Sequence, residues 1–186
     1  MNELFLFFIL IIGAKAYANE IPLGNPNALV QIEMYSDFQC PFTKRGFENL
    51  KEILKDDSLS SNLTLKNFPL DFHDQAKLAA KMSVCADEQN KYWEVVEGFF
   101  DIQKSGSMDE KKLNNVIQLK KLDQKKFQTC MAGMLPDKIL GDDKRDAQKY
   151  KVEGTPYIII HGPKGDKVLS GAYPVLDIKK AINEVL

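Results

Sequence analysis

The chain has 186 residues, with 25 basic and 26 acidic side chains, a formal net charge of −1 and 44% apolar residues. Charges that nearly cancel argue against nucleic acid or an anionic membrane surface as a partner, and the length suits one domain with a sizeable core. Three cysteines leave one over after any pairing, which in an exported chain reads as a reactive thiol or an intermolecular bond.

Residues Met1 to Ala18 read as an export signal, with an apolar core from Leu4 to Ile12 and the small-residue pattern Ala16-Tyr17-Ala18. That core is about half of the roughly twenty residues a membrane-spanning helix needs. The mature domain then runs from 19 to 186.

Val30 to Tyr35 is a run of strand formers closed by Ser36 and Asp37, and a helical pattern follows from Pro41 to about Lys55. Pro41 suits the first helical turn, where its missing N–H costs nothing. Leu63 to Phe68 predicts a second strand ending at Pro69, so the opening unit is βαβ with a parallel pair. The triplet Asn62-Leu63-Thr64 also fits a glycosylation acceptor, a pattern common by chance.

From Asp71 to Leu135 no strand pattern appears, and four helical stretches succeed one another. Leu78, Met82 and Cys85 share a face of the first, and Tyr92, Val95, Val96, Phe99 and Phe100 form an apolar stripe on the second. Ser107 with Glu110 reads as a capping box for the third, which carries Leu113, Val116 and Ile117. Phe127, Cys130, Met131 and Met134 make the apolar face of the fourth. Strand character returns at Tyr157 to Ile160, turns at Gly162-Pro163-Lys164-Gly165 and pairs back over Val168 to Ser170, before a closing helix with Ile178, Ala181, Ile182 and Val185 inward. The order βαβ, helices, ββα predicts an α/β thioredoxin-like sandwich with an all-helical insertion of about residues 71–135.

Cys40 opens the first helix in Cys40-Pro41-Phe42-Thr43. The free backbone donors and positive dipole end of a helix favour a thiolate there, so an exposed, nucleophilic sulfur is expected. A partner thiol would follow three residues on, but Thr43 stands in that place. A hydroxyl cannot attack a disulfide, so an adduct at Cys40 would need a thiol from outside to release it. His73 and His161 have no companions at metal-ligand spacing, and His73 is expected at a helix start or core edge. No metal or cofactor is expected.

Ser36-Asp37-Phe38-Gln39-Cys40-Pro41, Phe68-Pro69-Leu70 with His73 soon after, Cys85-Ala86 ahead of Lys91-Tyr92-Trp93, and Gly154-Thr155-Pro156 before a strand together resemble the DsbA-like thiol:disulfide oxidoreductases, in order and over nearly the whole mature chain. The departure is Thr43, where that family typically carries a second cysteine. The resemblance implies a periplasmic or otherwise extracytoplasmic protein acting on cysteine-containing exported proteins through a mixed disulfide at Cys40, with a small thiol or a redox partner protein in support. It implies Thr43 as a hydrogen-bonding neighbour of the thiolate. Pro41, Phe42, Thr155 and Pro156 become substrate-binding residues, with the Thr155-Pro156 bond cis. Glu33 becomes a candidate proton acceptor beneath the active-site helix, and Cys85 and Cys130 a structural disulfide, the alternative being two free buried thiols. A monomer is the expectation, since dimeric relatives add an N-terminal domain. A non-catalytic peptide-binding or chaperone module on the same fold is the second reading. A glutathione-dependent transferase is a weaker third, for want of a glutathione signature.

Overall fold

The computed structural model describes residues 22–103 and 106–186, so the export-signal reading of residues 1–18 lies outside the described residues. Strands β1 (Leu23–Gly24), β2 (Val30–Ser36), β3 (Ser61–Asn67), β4 (Tyr157–Gly162) and β5 (Gly165–Ser170) form one sheet in the order β1-β3-β2-β4-β5. β2 and β3 are parallel from Val30↔Ser61 to Ser36↔Asn67, while β4 runs antiparallel to β2 and to β5. The expected βαβ unit and hairpin are both present. Strand β3 begins two residues earlier than the sequence pattern placed it. Asn62 is consequently buried inside the sheet, with its side chain donating to the Asn25 carbonyl 3.0 Å away. That position does not suit a glycosylation acceptor.

Alternation along β2 decides which side chain meets which layer. Val30, Ile32 and Met34 are fully buried in the main core. That core is closed by α1 (Pro41–Ile53) and by α7 (Val175–Val185), whose Ile178, Ala181, Ile182 and Val185 point inward. The intervening residues face the other way, where Tyr35 joins Ala147, Val152 and Ile159 in a smaller core.

The helical block comprises α2 (Ala76–Asp87), α3 (Tyr92–Ile102), α4 (Glu110–Leu119), α5 (Gln124–Ala132) and α6 (Leu135–Lys149). α3 docks onto α1 through Phe47, whose ring lies 4.8 Å from Phe100 and stacks on Trp93 at 6.4 Å. Cys85 of α2 and Cys130 of α5 are joined by a disulfide across a sequence separation of 45. Two local expectations fail. The cap of α4 is Asp109, which accepts from the Lys112 N–H at 2.8 Å, because the helix starts two residues later than a cap at Ser107 requires. Met134 is 87% exposed: α5 stops at Ala132, and Met134 leads into α6 instead of extending the apolar face of α5.

α6 has no counterpart in the sequence pattern, and the insertion extends to Lys149. Its inner face carries few apolar residues, chiefly Ile139, Leu140 and Ala147, together with a buried carboxylate, Asp143. Asp143 Oδ2 accepts from the backbone N–H and the side-chain amide of Asn67, both at 2.8 Å, which pins α6 to the end of β3. Burial pushes the Asp143 carboxyl up to about 6, against the opposing pull of those two donors.

Candidate active site

β2 ends at Ser36, and five residues later α1 begins at Pro41 with Cys40 as its N-cap. Cys40 itself makes no side-chain cap bond. The capping work falls to Asp37, three residues upstream. Asp37 Oδ1 accepts from the N–H groups of Gln39 (2.7 Å) and Cys40 (3.2 Å), and Oδ2 accepts from the Leu70 N–H (2.8 Å). His73 Nδ1 completes the set at 2.8 Å from Oδ2. A carboxylate has no proton to give, so Nδ1 is the donor. With its side chain wholly buried, Asp37 ties the mouth of α1 to the loop after β3.

Two further clamps hold the same loop. Gln39 donates to Asp74 Oδ1 and accepts from the Gln75 N–H, each at 2.8 Å. Gln103, just after α3, donates to the carbonyls of Phe38 and, at 3.4 Å, Cys40. Phe38 plugs the loop into the helical block, with ring contacts at 5.6 Å to Phe99 and 5.2 Å to Phe100.

The Cys40 thiol points at the loop before β4, donating to the Thr155 carbonyl at 3.4 Å. The Thr155-Pro156 bond is cis. Pro156 is buried against α1 at Gly46, where an added Cβ would lie 3.1 Å from the proline Cγ. The sequence predicts an exposed sulfur at Cys40; the residue is only 4% exposed, its thiol turned toward the Thr155 carbonyl. Thr43 departs from expectation as well. It is fully buried, and its Oγ1 accepts a long 3.5 Å bond from the Asp37 N–H, so its hydrogen bond is with the capping residue.

Pro41 and Phe42 lie at the surface of the first turn, Phe42 being 56% exposed with the Arg45 guanidinium 5.3 Å above its ring. Glu33 is not part of this site. Met34 and Ile32 take the α1 side of the sheet, so Glu33 projects from the opposite face, where it is 28% exposed and lies 3.8 Å from His161 Nε2. Its charge, after burial itself, helps push the Tyr35 hydroxyl upward. The structure thus brings Cys40, Thr155 and Pro156 together, turns Thr43 inward and sets Glu33 apart. Asp37 was missed as a functional residue, since its partners Leu70 and His73 lie more than thirty residues away. The signal was the polar Ser36-Asp37 pair between a buried strand and a helix start.

The family model described as Thioredoxin matches residues 17–183. The chain belongs to this family. It is 27% identical over 182 residues to a probable disulfide bond formation protein D of Bacillus anthracis, covering 92% of this chain and 80% of that one. Among solved structures it resembles a thioredoxin-like oxidoreductase from Silicibacter pomeroyi with a TM-score of 0.78 and 21% identity, over 88% of this chain and 90% of the other. DsbA2 of Pseudomonas aeruginosa superposes with a TM-score of 0.72 and 23% identity, over 89% and 93% of the two chains. Within that fold, the chain carries the Cys40 sulfur at the mouth of α1, 3.4 Å from the Thr155 carbonyl, with Thr43 three residues further along the helix.

Proposed function

We propose that the chain is an exported monothiol thiol-disulfide exchange protein acting on cysteine-containing proteins outside the cytoplasm. The observation that carries this reading is the pairing of Cys85 with Cys130, which leaves Cys40 as the free thiol, 3.4 Å from the Thr155 carbonyl at a helix start. Deprotonated, the Cys40 sulfur attacks one sulfur of a substrate disulfide. That S–S bond breaks, the other substrate sulfur leaves as a thiolate, and a Cys40–substrate disulfide forms. The released thiol, or a second thiol of the same substrate, then attacks the adduct and regenerates Cys40. Attack by a different substrate thiol yields a rearranged disulfide with no net electron transfer. Release by a small thiol such as glutathione instead leaves the substrate reduced and Cys40 in a new mixed disulfide, which a second small thiol clears.

In this reading an extended substrate segment lies along Thr155-Pro156, beside the exposed ring of Phe42. Net dithiol oxidation is disfavoured, because Thr43 supplies no resolving sulfur. The second reading, a peptide-binding module without redox turnover, draws support from the burial of Cys40.

The two separate in one experiment. The mature protein is incubated with a scrambled-disulfide substrate, with and without glutathione, and Cys40-linked adducts are sought by mass spectrometry. The exchange reading expects an adduct that Cys40→Ala abolishes. No adduct, with Cys40→Ala behaving as wild type throughout, leaves the binding module.

A further inference from the structure

The carboxylate of Asp37 has room for about four donors, and the structure fills it with three backbone amides and one side chain. The amides are fixed by the chain. The imidazole of His73 is the only side-chain donor to Asp37 among the described residues, and it is held from outside by the edge of the Phe72 ring, 4.6 Å away. His73 thus sits two bonds of contact from the sulfur: its Nδ1 holds Asp37 Oδ2, while Asp37 Oδ1 holds the peptide N–H of Cys40.

We propose that His73 is a positioning residue for Cys40, acting through Asp37 to hold the thiol in its reactive setting; the inference rests on the reading of Cys40 as a nucleophile. Without the imidazole donor, a buried carboxylate loses one of its partners. Its side chain is then free to turn away from the Cys40 N–H, which unsettles the start of α1. Its charge is also less compensated, close to the atom on which a second negative charge must form. Both effects slow attack by Cys40. A residue that merely glued the loop after β3 to α1 would lower thermal stability and leave the chemistry of each folded molecule unchanged.

The test uses the full mature chain with the Cys85–Cys130 bond intact, so that Cys40 is the thiol available, and iodoacetamide as a neutral probe. Alkylation at neutral pH is followed by mass spectrometry, with circular dichroism reporting the folded fraction. H73A is expected to slow alkylation per folded molecule by about tenfold, a size set by a partly compensated charge near a buried site. H73Q, whose amide can supply the lost N–H to Oδ2, is expected to return to within about twofold of wild type. Adding D37N to H73A removes the uncompensated charge and is expected to restore part of the rate. Should H73A not fold, H73L keeps volume against Phe72 while lacking the donor and takes its place. Wild-type rates in H73A or H73L overturn the inference, as does an H73Q rate as slow as H73A or a double variant no faster than the single. If wild-type Cys40 reacts only on unfolding, the nucleophile reading falls and this inference with it; if wild type reacts and H73A matches it, this inference falls alone.

Discussion

At the mouth of α1 one sulfur faces a backbone carbonyl, whereas in the helical block two sulfurs face each other and are bonded. Both regions start from a cysteine on or beside a helix packed into the same core. The difference lies in what the neighbouring helix presents. α5 lays Cys130 against Cys85, so that pair is consumed as a crosslink. α1 turns Thr43 inward to the Asp37 backbone, and the mouth is built from amides, a carboxylate and a proline loop. A thiol stays available for chemistry when the groups around it donate or accept hydrogen bonds but cannot form a covalent bond with it.

The largest expected effect tests the bonded region. Replacing Cys85 and Cys130 together by Ser opens a loop closed across 45 positions and should cost about 4 kcal/mol on the chain-entropy account, with a fall of roughly 10 °C in melting temperature. If the two regions are independent, Cys40 alkylation per folded molecule stays unchanged; a large change there would break the contrast.

Asp143 sits between the regions, joining the end of β3 to α6. Folding raises its carboxyl from 3.8 to about 6, so the folded chain holds that proton more tightly than the unfolded chain does. The contribution to stability is complete below about pH 4 and lost as pH rises through about 6, a change of about 2 to 3 kcal/mol. Exposed carboxylates such as Asp137, lowered by Lys81, act in the opposite direction, so the informative quantity is wild type minus D143N in urea titrations from pH 4.5 to 7.5. That signed difference should be greatest at the acid end and fall by about 2 to 3 kcal/mol as pH rises through about 6; parallel profiles would show that Asp143 is not the source.

T43C tries to convert the mouth into the paired type. An internal thiol should shorten the lifetime of a Cys40 mixed disulfide by at least about tenfold, through its high effective concentration. An unchanged lifetime in a quenched, gel-resolved time course would mean that position 43 keeps its inward orientation whatever atom it carries. The smallest effect is expected at Met134, 87% exposed near the bonded pair: M134Q should shift the unfolding midpoint by less than about 0.5 kcal/mol.

The strands, the parallel pair, the hairpin and the apolar stripes of the insertion were legible because alternation and helical periodicity show directly in residues such as Ile32, Met34, Val95 and Phe99. α6 was not legible, since Asp137, Lys138, Asp142, Asp143, Lys144 and Arg145 give it the polarity of a loop, and its anchor is a carboxylate satisfied from another element. At the site, Cys40 and Thr155-Pro156 were found from their local motifs. The Asp37 hub was not, because its energetics depend on Leu70 and His73 arriving from across the fold. Glu33 was assigned to the α1 side although its place in the alternation, between Ile32 and Met34, already put it on the opposite one. The turn of the Cys40 thiol toward Thr155 depends on a loop more than a hundred residues away and has no signature near the cysteine itself.

Gly46 shows how closely the Thr155-Pro156 loop is set against α1. It lies against the proline of the loop that faces the sulfur, at a spot where even a methyl group would press on Pro156 at 3.1 Å while making only ordinary contact with Met34 at 3.6 Å. A side chain there would push Pro156 back by a few tenths of an ångström, shifting the loop whose Thr155 carbonyl receives the Cys40 thiol. The distance between α1 and the loop that faces the Cys40 thiol is therefore set by a missing side chain six residues beyond the cysteine.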